Sequence, residues 1–221
     1  MNRKVLAAVA VALLVGLSGC ATISVTAEVG DANTIERYDL NITTSTTVYG
    51  WLNEAAKEEG YESLRDQMTD DVDVESDRIE YSEEIDGDEA TINIQLSEIP
   101  SSEMDAITLE EDDGELTYTD TAFVNESAQS EETSELGGEA MSGLVLDYTL
   151  HMPGNIVESN ADEVDGNTAN WTRTGGEAYT NTHIEARSEM PSALPVTGFG
   201  IVAAGLGILM FTLLLTRTRK Q

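Results

Sequence analysis

Residues 143–154 read Gly-Leu-Val-Leu-Asp-Tyr-Thr-Leu-His-Met-Pro-Gly. Leu144, Leu146, Tyr148, Leu150 and Met152 occupy every second position, with Val145, Asp147, Thr149 and His151 between them. A period of two is what a strand imposes, because successive side chains leave opposite faces. The stretch predicts a strand with its five large apolar groups turned into a core and with Asp147 and His151 on the other face. Pro153-Gly154 then turns the chain.

The same pattern extends in both directions. Downstream, Asp165-Gly166 predicts a turn before a strand through Trp171, and Ile184 with Ala186 predicts a last strand. Upstream, Ile23, Val25, Ala27 and Val29 alternate, as do Tyr38, Leu40 and Ile42. Asp86-Gly87 lies between two alternating runs and suits a two-residue hairpin turn. A further strand is expected from Leu116 to Phe123. Between Thr46 and Met68 the period changes: Val48, Leu52 and Ala55, then Tyr61, Leu64 and Met68, recur at helical spacing, with Gly60 as a break or kink. The expected fold class is α+β: antiparallel sheets packed on one long helical segment, followed by one C-terminal transmembrane helix. Residues 125–139 are rich in Ser, Glu and Gly without periodicity and read as an acidic insertion.

Two apolar ends bracket this domain. Residues 1–19 have the form of a secretory signal, with Arg3 and Lys4 before an apolar run from Val5 to Leu17. The run ends in Leu17-Ser18-Gly19-Cys20, which resembles the lipobox of prokaryotic lipoproteins. The resemblance implies cleavage before Cys20 and a thioether-linked diacylglyceryl group on its sulfur. At the other end, residues 198–215 are uncharged and precede Arg217, Arg219 and Lys220. Eighteen helical residues rise about 27 Å, close to the ~30 Å hydrocarbon core, and the basic end favours the cytoplasm. The expected organisation is a signal peptide (1–19), an extracytoplasmic domain (20–190), a stalk (191–197), a transmembrane helix (198–215) and a cytoplasmic tail (216–221). Leu194-Pro195-Val196-Thr197-Gly198 also matches the LPxTG pattern of sortase substrates, so a processed tail is the alternative to a retained helix.

The charge is extreme. The chain carries 42 carboxylates against 11 Lys and Arg, a formal net charge of −31. Five of the cations lie in the two ends, leaving six in the domain with all the carboxylates. Phosphate-backbone binding needs clustered cations, so nucleic acid is excluded as a partner. Self-repulsion at this density is relieved only by strong screening, and the Debye length shrinks to about 3 Å at ~1 M salt. The composition points to an exported protein of a halophile, and the chain reads as haloarchaeal. With Cys20 as the single cysteine, neither an internal disulfide nor a thiolate zinc cluster is available.

The stretch 143–154, together with Asn155 to Trp171 and its Asp165-Gly166-Asn167-Thr168 turn, resembles the LppM domain of actinobacterial and archaeal envelope lipoproteins. The lipobox, an early Asp39-Leu40 strand and a C-terminal apolar segment match the same layout. The resemblance implies an anchored α+β domain related to lipid or glycolipid binders, with no catalytic residues to carry over.

The remaining chemistry is sparse. His151 and His183 are the only histidines, and the carboxylate groups at Asp70, Asp71 and Asp73, at Asp86 and Asp88 and at 110–113 lack the spacing of an EF-hand loop. Serine nucleophile elbows, phosphate-binding glycine loops and His-Glu-x-x-His motifs are absent. The chain is therefore expected to be no enzyme, with no cofactor and no metal. Trp51, Leu52, Leu64, Leu144, Leu146, Tyr148, Leu150 and Trp171 are candidates to line an apolar ligand cavity between helix and sheet. Asn41, Asn125 and Asn170 head N-glycosylation sequons. The expected function is an anchored domain outside the cell membrane, in contact with membrane lipid through Cys20, binding a lipid, a glycolipid or an envelope protein. A structural or assembly role without a small ligand is one alternative. A hydrolase of envelope polymers using paired carboxylates is a weaker one.

The lipobox is directly testable. Replacing Cys20 by Ser removes the only thiol, so the chain should keep residues 1–19 and lack the diacylglyceryl mass. Intact-mass measurement of both forms checks this; identical lipid content in the two would refute lipidation at Cys20.

Overall fold

The computed structural model describes residues 21–70, 76–124, 143–175 and 177–190. Strands dominate it. In chain order the elements are β1 (Ala21–Asp31), β2 (Thr34–Ser45), α1 (Thr46–Glu58), α2 (Leu64–Asp70), β3 (Ile79–Asp86) and β4 (Glu89–Pro100). They continue with β5 (Ile107–Asp112), β6 (Glu115–Val124), β7 (Leu144–His151), β8 (Ile156–Ser159), β9 (Glu163–Asp165), β10 (Thr168–Thr174), α3 (Glu177–Thr180) and β11 (Asn181–Glu189). Single 3₁₀ turns precede β3 and follow β4.

The strands form two sheets. The larger has seven, in the order β3-β4-β2-β1-β7-β10-β9, and the smaller has four, in the order β5-β6-β11-β8. At the centre of the larger sheet β1 and β7 run parallel, Ala21 opposite Leu144 and Ala27 opposite Leu150. The other pairs are antiparallel. Local alternation predicts that β1 and β7 are strands but carries no information about which strands pair, so the parallel centre departs from the all-antiparallel expectation.

The α+β fold class with one long helix is overturned. The protein is mostly β with short helices, and the region from Thr46 to Met68 is two of them. Ser45 caps α1, its hydroxyl accepting from the Val48 amide at 3.3 Å. At the other end Gly60 takes φ +100°, Tyr61 N–H donates to Ala56 O, and Gly60 N–H donates to Lys57 O. This is a Schellman stop, which satisfies the last carbonyls and reverses the chain. The glycine thus terminates the helix rather than kinking it. No helix among the described residues is long and apolar enough to cross a membrane. The stretch 198–215, the signal segment and the insertion at 125–139 lie outside the described residues.

The core sits on one face of the larger sheet. Alternate residues of β1, β4, β7 and β10 are buried there, including all of Leu144, Leu146, Tyr148, Leu150 and Met152. Two layers share the cover. Helices α1 and α2 lie over the half containing β2, β4 and β3, burying Val48, Leu52, Ala56, Leu64 and Met68. The smaller sheet covers the half containing β7 and β10, through Leu116 and Tyr118 of β6 and Ile184 and Ala186 of β11. Asn160, between β8 and β9, stitches the layers together. Its Oδ1 accepts from Trp171 Nε1 at 2.8 Å and from the Glu185 amide at 3.0 Å, and its Nδ2 donates to His183 O.

At the Pro153-Gly154 turn the chain after β7 runs directly against the end of β11. Glu189 N–H donates to Asn155 O, and a Cβ built on Gly154 would lie 1.8 Å from Glu189 O. No rotamer change relieves a backbone clash. Gly154→Ala should therefore lower stability by about 3 kcal/mol, the upper end of ordinary overpacking. A urea midpoint equal to that of the unsubstituted protein would show that the β7 and β11 ends are not packed together.

Candidate functional site

β6 places Leu116, Tyr118 and Asp120 on its inward face, two residues apart. A period-two strand must send Asp120 where it sends Tyr118, into the core. The carboxyl group is fully buried, at 0% exposure. Burying a carboxylate is unfavourable by several kcal/mol unless partners replace water, and here four groups converge on it. Tyr148 Oη donates to Asp120 Oδ2 at 2.8 Å and Tyr38 Oη to the same oxygen at 3.4 Å. The Ala122 amide donates to Oδ1 at 2.7 Å, and the Tyr118 and Tyr148 hydroxyls lie 2.5 Å apart. Tyr38 and Tyr148 come from the larger sheet, Tyr118 and Asp120 from the smaller. Phe123 and Trp171 stand edge-on to the Tyr148 ring, with centroids 6.3 and 5.8 Å away.

Desolvation raises the Asp120 pKa above the ordinary 3.8, opposed by the Ala122 amide and then by the three tyrosine hydroxyls. Burial, followed by the nearby Asp120 charge, drives all three tyrosines well above 10. The three tyrosines hold their protons tightly, and the cluster is buried from solvent. Its chemistry is that of a polar clasp between sheets.

The positions named for an apolar cavity divide between two places. Leu144, Leu146, Tyr148, Leu150 and Trp171 pack against the smaller sheet around the clasp, each at most 1% exposed. Leu52 and Leu64 are buried under α1 and α2 on the other half of the larger sheet. Trp51 stands outside both, 39% exposed. Asp147 and His151 lie on the outer face, bonded to the hydroxyls of Thr172 and Thr168. Asn41 and Asn170 share that outer face, where Thr43 and Thr149 hydroxyls donate to their amide oxygens. His183 is exposed on β11 beside Glu185. Cys20 and Asn125 lie outside the described residues, and no group of three or more metal-ligating side chains occurs among the described ones.

An open cleft of about 510 Å³ lies at the β1–β2 turn, lined by Glu28, Gly30, Asp31, Thr34, Glu36, Arg37 and Glu98. Local backbone irregularity shapes it. The register passes from Glu28↔Arg37 to Val29↔Ile35, leaving Glu36 as an extra residue, while Glu98 on β4 adopts φ +53°. Such bulges turn side chains outward and bend the sheet. Gly30 leaves room for Glu36, whose Cγ would sit 2.6 Å from a Cβ there. Arg37, the one cation of the lining, is engaged by Asp39 at 3.0 Å and Glu28 at 3.8 Å.

Sequence reasoning passed over both features. Asp120 carried a readable signal, a carboxylate on the inward phase of an alternating strand. The cleft carried none, because its acids come from three strands and are joined only by pairing.

The clasp yields a prediction with a definite sign. A carboxyl whose folded pKa is raised contributes stability below its unfolded pKa and loses it as pH rises through the folded value. Asp120→Asn removes that dependence, so from about pH 3.8 upward the stability difference should move steadily in favour of the variant. Tyr148→Phe, which strips Oδ2 of its closer donor, should destabilise by about 1–3 kcal/mol. Urea unfolding at several pH values measures both, and a pH-independent difference would contradict the burial of Asp120.

No protein-family model matches the chain. The folded domain of the LppM protein of Mycobacterium tuberculosis, solved by NMR, aligns with 79% of this chain and 93% of its own, at a TM-score of 0.49 and 9% identity. An uncharacterized protein of Archaeoglobus fulgidus is 40% identical over 220 residues, covering 99% of this chain and 98% of the relative. Identity at that level over essentially the full length of both chains places this protein in the same family as the Archaeoglobus protein.

Proposed function

We propose that this protein is an extracytoplasmic lipoprotein, held at the membrane through Cys20, whose β domain binds a cationic envelope partner without catalysing a reaction. The observation that carries the reading is the cleft at the β1–β2 turn. It gathers Glu28, Asp31, Glu36 and Glu98 around an Arg37 already paired. Its position fits an anchored binder. Seven to ten residues of β1 separate Ala21 from Glu28 and Asp31, and at ~3.3 Å per residue the cleft is presented roughly 23–33 Å from the anchored end. Charge complementarity of this kind accelerates encounter and selects partners of the opposite sign.

A lipid slot in the core is less well supported. Five of the apolar positions named for it, Leu144, Leu146, Tyr148, Leu150 and Trp171, pack around the hydrogen-bonded Asp120 carboxyl, and replacing their packing with an acyl chain would open that network. The resemblance of residues 143–171 to the LppM domain, read from the sequence, supports the envelope setting.

The test is retention on the protein's own isolated envelope fraction. Glu28→Gln, Glu36→Gln and Glu98→Gln together should weaken retention at least tenfold, while Glu110→Gln with Glu163→Gln, elsewhere on the surface, should leave it unchanged. Native mass spectra should show no lipid beyond the covalent group. Equal loss in both variants would reduce the effect to bulk charge and remove the cleft from the function.

A further inference from the structure

The strand that follows Cys20 is already part of the sheet at its first residue. Ala21 N–H donates to Gly143 O at 3.2 Å, and Ala21 pairs with Leu144 in the middle of the larger sheet. A trans peptide keeps the Cα of residue 20 about 3.8 Å from that of Ala21, so a lipid on Cys20 has no linker. The end of the sheet at which β1 begins must lie against whatever holds the lipid.

That same end carries Ile85, one of the large apolar side chains exposed by the domain, and the helix that bears a second, Trp51, begins there. The pairing runs Thr22↔Thr43, Thr43↔Thr91 and Thr91↔Glu84 across four strands. Ile85, one residue beyond Glu84, is therefore level with Ala21 and about 14 Å to its side, three strand spacings of ~4.8 Å. It is 58% exposed. Ile85 pairs with Ala90, so it is on the face covered by α1. Helix α1 starts at this end, where Thr46 N–H donates to Asp88 O. Trp51 lies less than two turns from its start, and side chains on a helix tilt toward the N-terminus. Tyr49, bonded to Glu83 of β3 at 2.6 Å, marks the flank of α1 that faces β3. Trp51, two residues on, lies about 160° away from Tyr49 around the helix and is 39% exposed.

We propose that this end of the domain rests on the bilayer, with Trp51 and Ile85 entering the interfacial region beside the acyl chains of Cys20. The occupant of the surface is lipid, because the chain leaves the fold here with no slack. Tryptophan is suited to the headgroup level, where its ring is apolar and its N–H reaches water. The inference rests on lipidation of Cys20 and adds which surface meets the membrane. Asp86, Asp88 and Glu89 lie in the hairpin tip at the same end, so contact is favoured with zwitterionic lipid and opposed by anionic lipid at low salt.

The experiment uses the full chain in phosphatidylcholine vesicles with brominated acyl chains, which quench nearby indole fluorescence. Trp51→Phe supplies the background from buried Trp171. The Trp51 signal should be quenched by the brominated lipid and protected from acrylamide at least threefold relative to detergent-free solution. Ile85→Asp, on an exposed site, should reduce lipid quenching at least twofold with an unchanged circular dichroism spectrum. A diacylglyceryl mass on Cys20 with Trp51 fully accessible to acrylamide in vesicles overturns the docking surface and leaves the anchor standing. Absence of that mass overturns the anchor, and the docking surface with it.

Discussion

One carboxyl group ties the two sheets into a single body. Apolar contact between the faces is large but non-directional, and would tolerate sliding of one sheet over the other. Asp120 does not tolerate it. Its two oxygens need the Ala122 amide and the hydroxyls of Tyr148 and Tyr38, and the latter two come from the opposite sheet. A shift of one residue would leave a carboxyl without partners in a low-dielectric interior, where an unsatisfied group is most unfavourable. The surrounding rings of Tyr118, Phe123 and Trp171 keep water from supplying substitutes.

The central parallel pair organises the rest. Because β1 and β7 run the same way, the chain must return between them, and β2 to β6 are that return. The larger sheet consequently has two chemically different ends. One holds the start of β1, the start of α1 and the β3–β4 hairpin. The other holds the β1–β2 turn with its bulges and carboxylates.

Among the described residues the acidity is spread over the surface, and Asp120 is the one charged side chain at a buried position. Edge strand β3 shows how the carboxylates are used. Glu80, Glu83, Glu84 and Asp86 line a strand that pairs on one side with β4 and lies at the margin of the sheet. Like charges there discourage edge-to-edge association. Glu83 also accepts from Tyr49 and Tyr81, and burial with the Glu83 hydrogen bond pushes the Tyr49 hydroxyl up to about 12. The same side chain both protects the edge and holds α1 against it.

Much of the local structure was legible from residue order alone. Alternation is a property of neighbours, so the inward face of β7, the β3–β4 hairpin at Asp86-Gly87 and the strand through Trp171 follow from spacing. Gly60 likewise announces a helix end, although whether it kinks or stops the chain depends on the hydrogen bonds formed by Gly60 and Tyr61. What residue order does not contain is which strands become neighbours. The parallel β1–β7 pair, the division of the core between helices and a second sheet, and the meeting of Tyr38 with Asp120 across 82 positions all arise from long-range packing. The acidic cleft and the level of Ile85 with Ala21 depend on register between strands far apart in the chain. Local chemistry decides which face of an element is buried; tertiary structure decides what that face is buried against, because pairing energy is shared among many similar strands and only the complete core selects one arrangement.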